Sequence, residues 1–206
     1  MNNRLIEAAG HGQTDTVIAL LREGADINAT DASGRTAILA AVHGRHARTV
    51  RALIEQGAGV NKQDQRRDNP LLHAGAEGLF DIVRLLLEAG ADTRLTNRFG
   101  GTALIPAAER GHIAVVEELL THSDIEVNHV NNLGWTALLE AIILSDGGTV
   151  HQRIVKLLLD HGADPLIADK DGVTPLEHAA ERGYREIEKL LAEAIARAGE
   201  TERPSR

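Results

Sequence analysis

One short run of residues recurs along this chain at a nearly constant interval, and that recurrence constrains the fold more than any other feature. It reads Leu-Leu-Arg-Glu-Gly-Ala-Asp-Ile-Asn at 20–28 and Leu-Ile-Glu-Gln-Gly-Ala-Gly-Val-Asn at 53–61. It returns as Leu-Leu-Glu-Ala-Gly-Ala-Asp-Thr-Arg at 86–94 and Leu-Leu-Asp-His-Gly-Ala-Asp-Pro-Leu at 158–166. A second run marks the start of each unit: Gly-Arg-Thr-Ala-Ile at 34–38, Gly-Gly-Thr-Ala-Leu at 100–104, Gly-Trp-Thr-Ala-Leu at 134–138 and Gly-Val-Thr-Pro-Leu at 172–176. With the Thr as register, Thr36, Asn69 and Thr102 stand 33 residues apart, Thr136 follows after 34 and Thr174 after 38. A step of 33 back from Thr36 lands on Asn3, with Leu5 and Ala8 in the expected apolar places, which makes six units.

Within a unit the apolar positions recur three and four apart, the spacing of one buried helix face. In the third unit, Pro70-Leu71-Leu72-His73-Ala74 begins one short helix and Phe80 to Leu87 forms a second. Thr36, Asn69, Thr102, Thr136 and Thr174 each stand where a side-chain oxygen caps the first helix. Gly24, Gly57, Gly90 and Gly162 follow the second helix, where a left-handed residue ends it at little cost. A single helix pair is too small to be stable alone, so neighbouring pairs must share their apolar faces.

This period, with Thr-(Ala/Pro)-Leu, Ala-Ala, Gly-His and Gly-Ala-Asp, resembles the ankyrin repeat. The resemblance spans about residues 3 to 195. It implies an all-α ankyrin-repeat solenoid of six helix–turn–helix units with short β-hairpin-like loops. The units fall at about 1–29, 30–62, 63–95, 96–129, 130–167 and 168–198, a single domain followed by a disordered tail at 199–206. The stretches Asn97 to His112 and His129 to Leu144 resemble a recurrent bacterial subgroup, which implies a stand-alone prokaryotic protein. Two departures stand out. The family's Thr-Pro-Leu-His is never completed: its His place holds Ile6, Leu39, Leu72, Ile105, Leu139 and Glu177, so aliphatic packing substitutes in five of six units. The fourth unit also gains one residue near His122–Glu126, and the fifth gains five near Ser145–Thr149. Inserted loops carry function in some repeat proteins and are tolerated surface length in others.

Composition narrows the function classes. Lys and Arg number 22 against 30 Asp and Glu, a net charge of −8 that disfavours nucleic acid and anionic membrane. The chain has no Cys, which removes disulfides, thiolate metal sites and a Cys nucleophile. No apolar run approaches the roughly 20 residues of a membrane span, and no signal peptide is visible at Met1–Arg4. The expected location is the cytoplasm, or the periplasm if an export signal has been removed. No Gly-x-Ser-x-Gly, His-Glu-x-x-His, P-loop or EF-hand pattern occurs. The ten His show no spacing typical of a closed metal site, although His73 and His178 share one repeat position. No catalytic residue, cofactor or metal is therefore expected. Glu109 and Glu140, seven and four residues past Thr102 and Thr136, come within about one helical turn of register as a carboxylate pair.

In ankyrin-like arrays the hairpin tips and first helices line a concave groove, which the resemblance implies binds proteins. Two of only four aromatics, Phe99 and Trp135, fall at groove places. With Leu133, Ile143 and Leu144 they form an apolar cluster over the fourth and fifth units. Arg66, Arg98 and Arg110 flank it, and Glu109 shares the face. An aromatic centre with an Arg rim is the anatomy of a binding hot spot. The expectation is a monomeric, non-enzymatic scaffold that takes an unidentified protein there. Two alternatives stay open: a closed small-molecule or peptide pocket around Trp135, Arg98, Glu109 and Glu140, or Trp135 and Phe99 folded back against their own hairpins.

Overall fold

A computed structural model describes residues 1–201, with side chains through residue 198. The chain falls into two compact units, Met1–Arg98 and Phe99–Arg206. The first holds three helix pairs: α1 (Asn2–Gly10) with α2 (Thr14–Arg22), α3 (Ala37–His43) with α4 (Ala47–Glu55), and α5 (Pro70–Ala76) with α6 (Phe80–Glu88). The second holds three more: α7 (Leu104–Glu109) with α8 (Ile113–His122), α9 (Ala137–Ile143) with α10 (Thr149–Asp160), and α11 (Pro175–Glu181) with α12 (Arg185–Thr201). Among the described residues no β-strand forms, and the hairpin loops contribute one isolated bridge, Thr30 to Thr36. Helix α12 runs three residues into the segment expected as a tail, and 202–206 lie outside the described residues.

In each unit the helices form two rows. In the first, α1 packs on α3 and α3 on α5, while α2 packs on α4 and α4 on α6. In the second, α7, α9 and α11 form one row and α8, α10 and α12 the other. The cores are aliphatic, as a chain with 2% aromatics requires. Leu5, Ile38, Leu39, Leu53 and Leu86 are fully buried in the first unit, and Leu104, Leu119, Leu138, Leu139, Ile142, Ile154 and Leu158 in the second. The five aliphatic residues at the family's His place, Ile6, Leu39, Leu72, Ile105 and Leu139, are all buried.

Four of the five expected caps form. Thr36, Asn69 and Thr136 accept the N–H groups of Leu39, Leu72 and Leu139 at 3.3, 2.8 and 3.2 Å. Thr174 accepts from Glu177 while the Glu177 carboxylate takes the Thr174 N–H, a reciprocal capping box. Thr102 does not cap. Ala103 takes the cap place with helical angles (φ −61°, ψ −26°), and Pro106 has no N–H to give the Thr102 carbonyl, a bond that Ala40 makes to Thr36 and Glu140 to Thr136. The Thr102 hydroxyl is left buried without a partner. At the end of α8 the usual Gly is also missing, and Ser123 serves instead: its hydroxyl donates to the Leu119 carbonyl and accepts from the Ile125 N–H.

Candidate functional site

Stacked first helices bring one pair of positions together repeatedly: the seventh residue past one cap meets the fourth residue past the next. A Cβ added at Gly10 would lie 3.7 Å from Ala40 Cβ. The same relation joins His43 to His73, whose ring centroids are 4.1 Å apart. In the second unit it joins Glu109 to Glu140, close enough for one charge to act on the other.

In the second unit the site is built on the loop before α9. Asn131 Oδ1 accepts the N–H groups of Leu133 and Trp135 at 2.9 and 3.1 Å, and its backbone pairs with Trp135 and Gly134. Gly134 turns the loop with φ of 88°. The remaining donor, Asn131 Nδ2, bonds Glu140 Oε1 at 2.7 Å. Glu140 is buried on α9. Loss of water around its carboxyl, reinforced by the like charge of Glu109, pushes its pKa up to about 7 against the pull of the Asn131 bond. A carboxyl that titrates near neutrality suits proton transfer in other settings. Here its oxygen holds an amide that itself holds the hairpin, so it reports on loop shape.

The apolar residues expected around this loop are placed as follows. Phe99, Leu133 and Leu144 are 54%, 52% and 49% exposed. Trp135 and Ile143 are half-buried. The Phe99 carbonyl accepts the Asn132 N–H at 2.9 Å, and His129 Nε2 donates to the Gly100 carbonyl at 2.7 Å, so the Phe99 turn is stitched to the Trp135 hairpin. Glu109 ends α7 half-buried, its carbonyl accepting from His151 Nε2 at 2.9 Å, and Arg110 beside it is exposed. Arg66 and Arg98 are exposed residues of the first unit. The five-residue insertion of the fifth repeat is held down. Tyr184 donates its hydroxyl to the Ser145 carbonyl at 2.7 Å, and its ring covers Gly147, where φ is 68° and a Cβ would collide.

The first unit contains a cluster that local spacing in the sequence does not reveal. His43 closes α3, His73 lies on α5, and Asp68 precedes the α5 cap. Asp68 Oδ2 stands 3.5 Å from His43 Nε2 and 3.3 Å from His73 Nδ1. Burial alone would raise the Asp68 pKa, but the two imidazoles outweigh it and hold the carboxyl well below its usual range. The counterpart in the sixth repeat, His178, pairs with Asp169 at 2.7 Å and has no second imidazole within the pair. No spacing typical of a closed metal site marks these histidines in the sequence, yet stacking brings together residues a full repeat apart. The signal was present in the register: His43 and His73 hold the same offsets as Glu109 and Glu140.

Comparison with known proteins agrees with this geometry. Residues 5–97 and 89–169 match the family described as ankyrin repeats (3 copies). The putative ankyrin repeat protein YahD of Escherichia coli K12 is 49% identical over 92% of this chain and 94% of its own length. An ankyrin repeat domain from Acinetobacter baumannii AYE superposes with a TM-score of 0.90 at 52% identity, covering 93% of this chain and 97% of that one. The ankyrin repeat protein EF0377 superposes with a TM-score of 0.89 at 40% identity, covering 93% and 98%.

Proposed function

The chain belongs to the ankyrin repeat family, and on that premise we propose that it is a non-catalytic scaffold that takes a protein segment on its second unit. Ankyrin repeats in general mediate protein–protein interaction, and the relatives reported above are named only as ankyrin repeat proteins or domains. The reading rests on one observation: Phe99, Leu133 and Leu144 stay about half exposed although the aliphatic core beneath them is filled. Trp135 and Ile143 lie half-buried in the same hairpin and helix, which supplies partly anchored apolar surface of the kind hot spots use. Glu109 and Arg110 add a charged edge. Arg66 and Arg98 belong to the first unit, and the reading does not need them. The protein acts in the cytoplasm as a monomer in this proposal.

Peptide display against the immobilised full chain tests it. Trp135 is the sole Trp, so its emission reports occupancy directly. Leu133→Asp and Phe99→Asp are expected to weaken a selected peptide at least tenfold, about 1.4 kcal/mol, whereas Leu166→Asp, exposed elsewhere in the unit, leaves it unchanged. Trp135→Ala is expected to abolish capture with little loss of melting temperature. A large stability loss with capture retained assigns Trp135 to the core and overturns the reading.

A further inference from the structure

We propose that His43, Asp68 and His73 form a binding site for a divalent transition-metal ion of the zinc class, with the fourth coordination position open. One ligand atom from each residue lies within 4.8 Å of the other two. Around a tetrahedral ion bound at about 2.0–2.1 Å, neighbouring donor atoms stand about 3.3–3.4 Å apart. The two distances from Asp68 Oδ2 to the imidazole nitrogens, 3.3 and 3.5 Å, already match that edge. Rotation of the two rings closes the third.

The carboxylate is oriented for the task. Asp68 Oδ1 accepts the Asn69 N–H at 3.0 Å, while the Asp68 N–H and carbonyl pair with Asp64. Oδ2 alone is turned to the imidazoles, a one-oxygen ligand held by the backbone of its own hairpin. On the other side, His43 Nε2 is buried and makes no hydrogen bond. Its nearest acceptor, Asp68 Oδ2, stands 3.5 Å away, and an ion beside Asp68 would give this buried nitrogen a directed partner. Two nitrogens and one oxygen suit zinc, nickel or copper; calcium and magnesium prefer oxygen alone. Three protein ligands are one fewer than a closed structural zinc site has. The residues come from two helices and one hairpin of Met1–Arg98, so the site is independent of the apolar surface on the second unit.

The test is zinc binding by the untagged full chain, measured by competition with a chromophoric chelator at neutral pH. One equivalent is expected. His43→Ala and His73→Ala are each expected to lower the affinity at least tenfold and the double variant at least a hundredfold. His122→Ala, an exposed imidazole paired with Glu118, is expected to change nothing. Cobalt in place of zinc should give the visible spectrum of a four-coordinate ion. Absence of stoichiometric binding, or binding undiminished in the double variant, overturns the proposal. Should a variant fail to fold by circular dichroism, imidazole resonances of the wild type decide. Zinc must shift those of His43 and His73; a shift confined to other histidines overturns the assignment.

Discussion

The two halves of this molecule bring the same pair of repeat positions within electrostatic reach and fill them with opposite chemistry. In Met1–Arg98 the pair is His43 and His73, gathered on the ionised Asp68. In Phe99–Arg206 it is Glu109 and Glu140, with Asn131 between Glu140 and the hairpin. The scaffold decides which residues meet, and the side chains then decide what charge the meeting can hold. The neighbouring loop follows suit. The residue five before the cap is Asp31, Asp64 or Asp169 in three other hairpins, each accepting backbone N–H groups of its own turn, and Asn97 in the hairpin before α7. Where Glu140 lies opposite, the same place holds Asn131. An amide keeps the turn and adds a donor; a second carboxylate would add repulsion.

Asn131→Asp should therefore produce the largest effect. The loop N–H groups keep their acceptor, but the buried Glu140 loses its donor and gains a like charge. A loss of about 3 kcal/mol is expected at about pH 8 in denaturant unfolding. Much of it should return at about pH 5, where a protonated Glu140 can donate to the new carboxylate. An Asn131→Asp protein as stable as the wild type at both pH values would break the comparison.

Next in size is Glu140→Gln. The folded pKa of about 7 lies above the ordinary 4.5, so the folded state binds the extra proton. Stability contributed by this site is complete below about pH 4.5 and declines as pH rises through 7. Gln retains an acceptor for Asn131 and has nothing to ionise. It should stabilise the protein by about 2 kcal/mol at about pH 8 and change little at about pH 4. Asp68 runs the other way. Its depressed pKa contributes stability that is present above 3.8 and is lost as pH falls further. Amide exchange followed against pH should thus show α9 loosening in base and α5 loosening only in acid.

Much of this architecture was legible because it is written at short range. The helix pairs follow from apolar spacing, Thr36, Asn69, Thr136 and Thr174 from capping chemistry, and Gly24 or Gly162 from the left-handed turn that ends a helix. The Glu109–Glu140 meeting was legible from register arithmetic alone. The His43–Asp68–His73 cluster has the same arithmetic, but searching the histidines by local spacing hides it, and Asp68 becomes visible as a member only once its hairpin is folded. Tyr184 covering Gly147 is a contact across 37 residues that no local pattern announces. Thr102 misled for a different reason: the residue type is right for a cap, but α7 starts one residue later, behind Ala103, as Pro106 has no N–H for the Thr102 carbonyl.

That misplaced Thr supplies the smallest test, and it uses the repeat as its own control. Thr102 and Thr136 hold the same register place, and both are buried. Thr136 caps α9, whereas the Thr102 hydroxyl has no partner. Thr136→Val deletes a cap and should cost about 1 kcal/mol. Thr102→Val removes an unsatisfied buried hydroxyl without changing shape, and should be neutral or stabilising by up to about 1 kcal/mol. Equal losses at the two positions would mean that Thr102 caps α7 after all, and that the two helices begin alike. A gain at 102 beside a loss at 136 would show that one residue in one repeat place contributes with opposite sign according to whether its hydroxyl finds a partner.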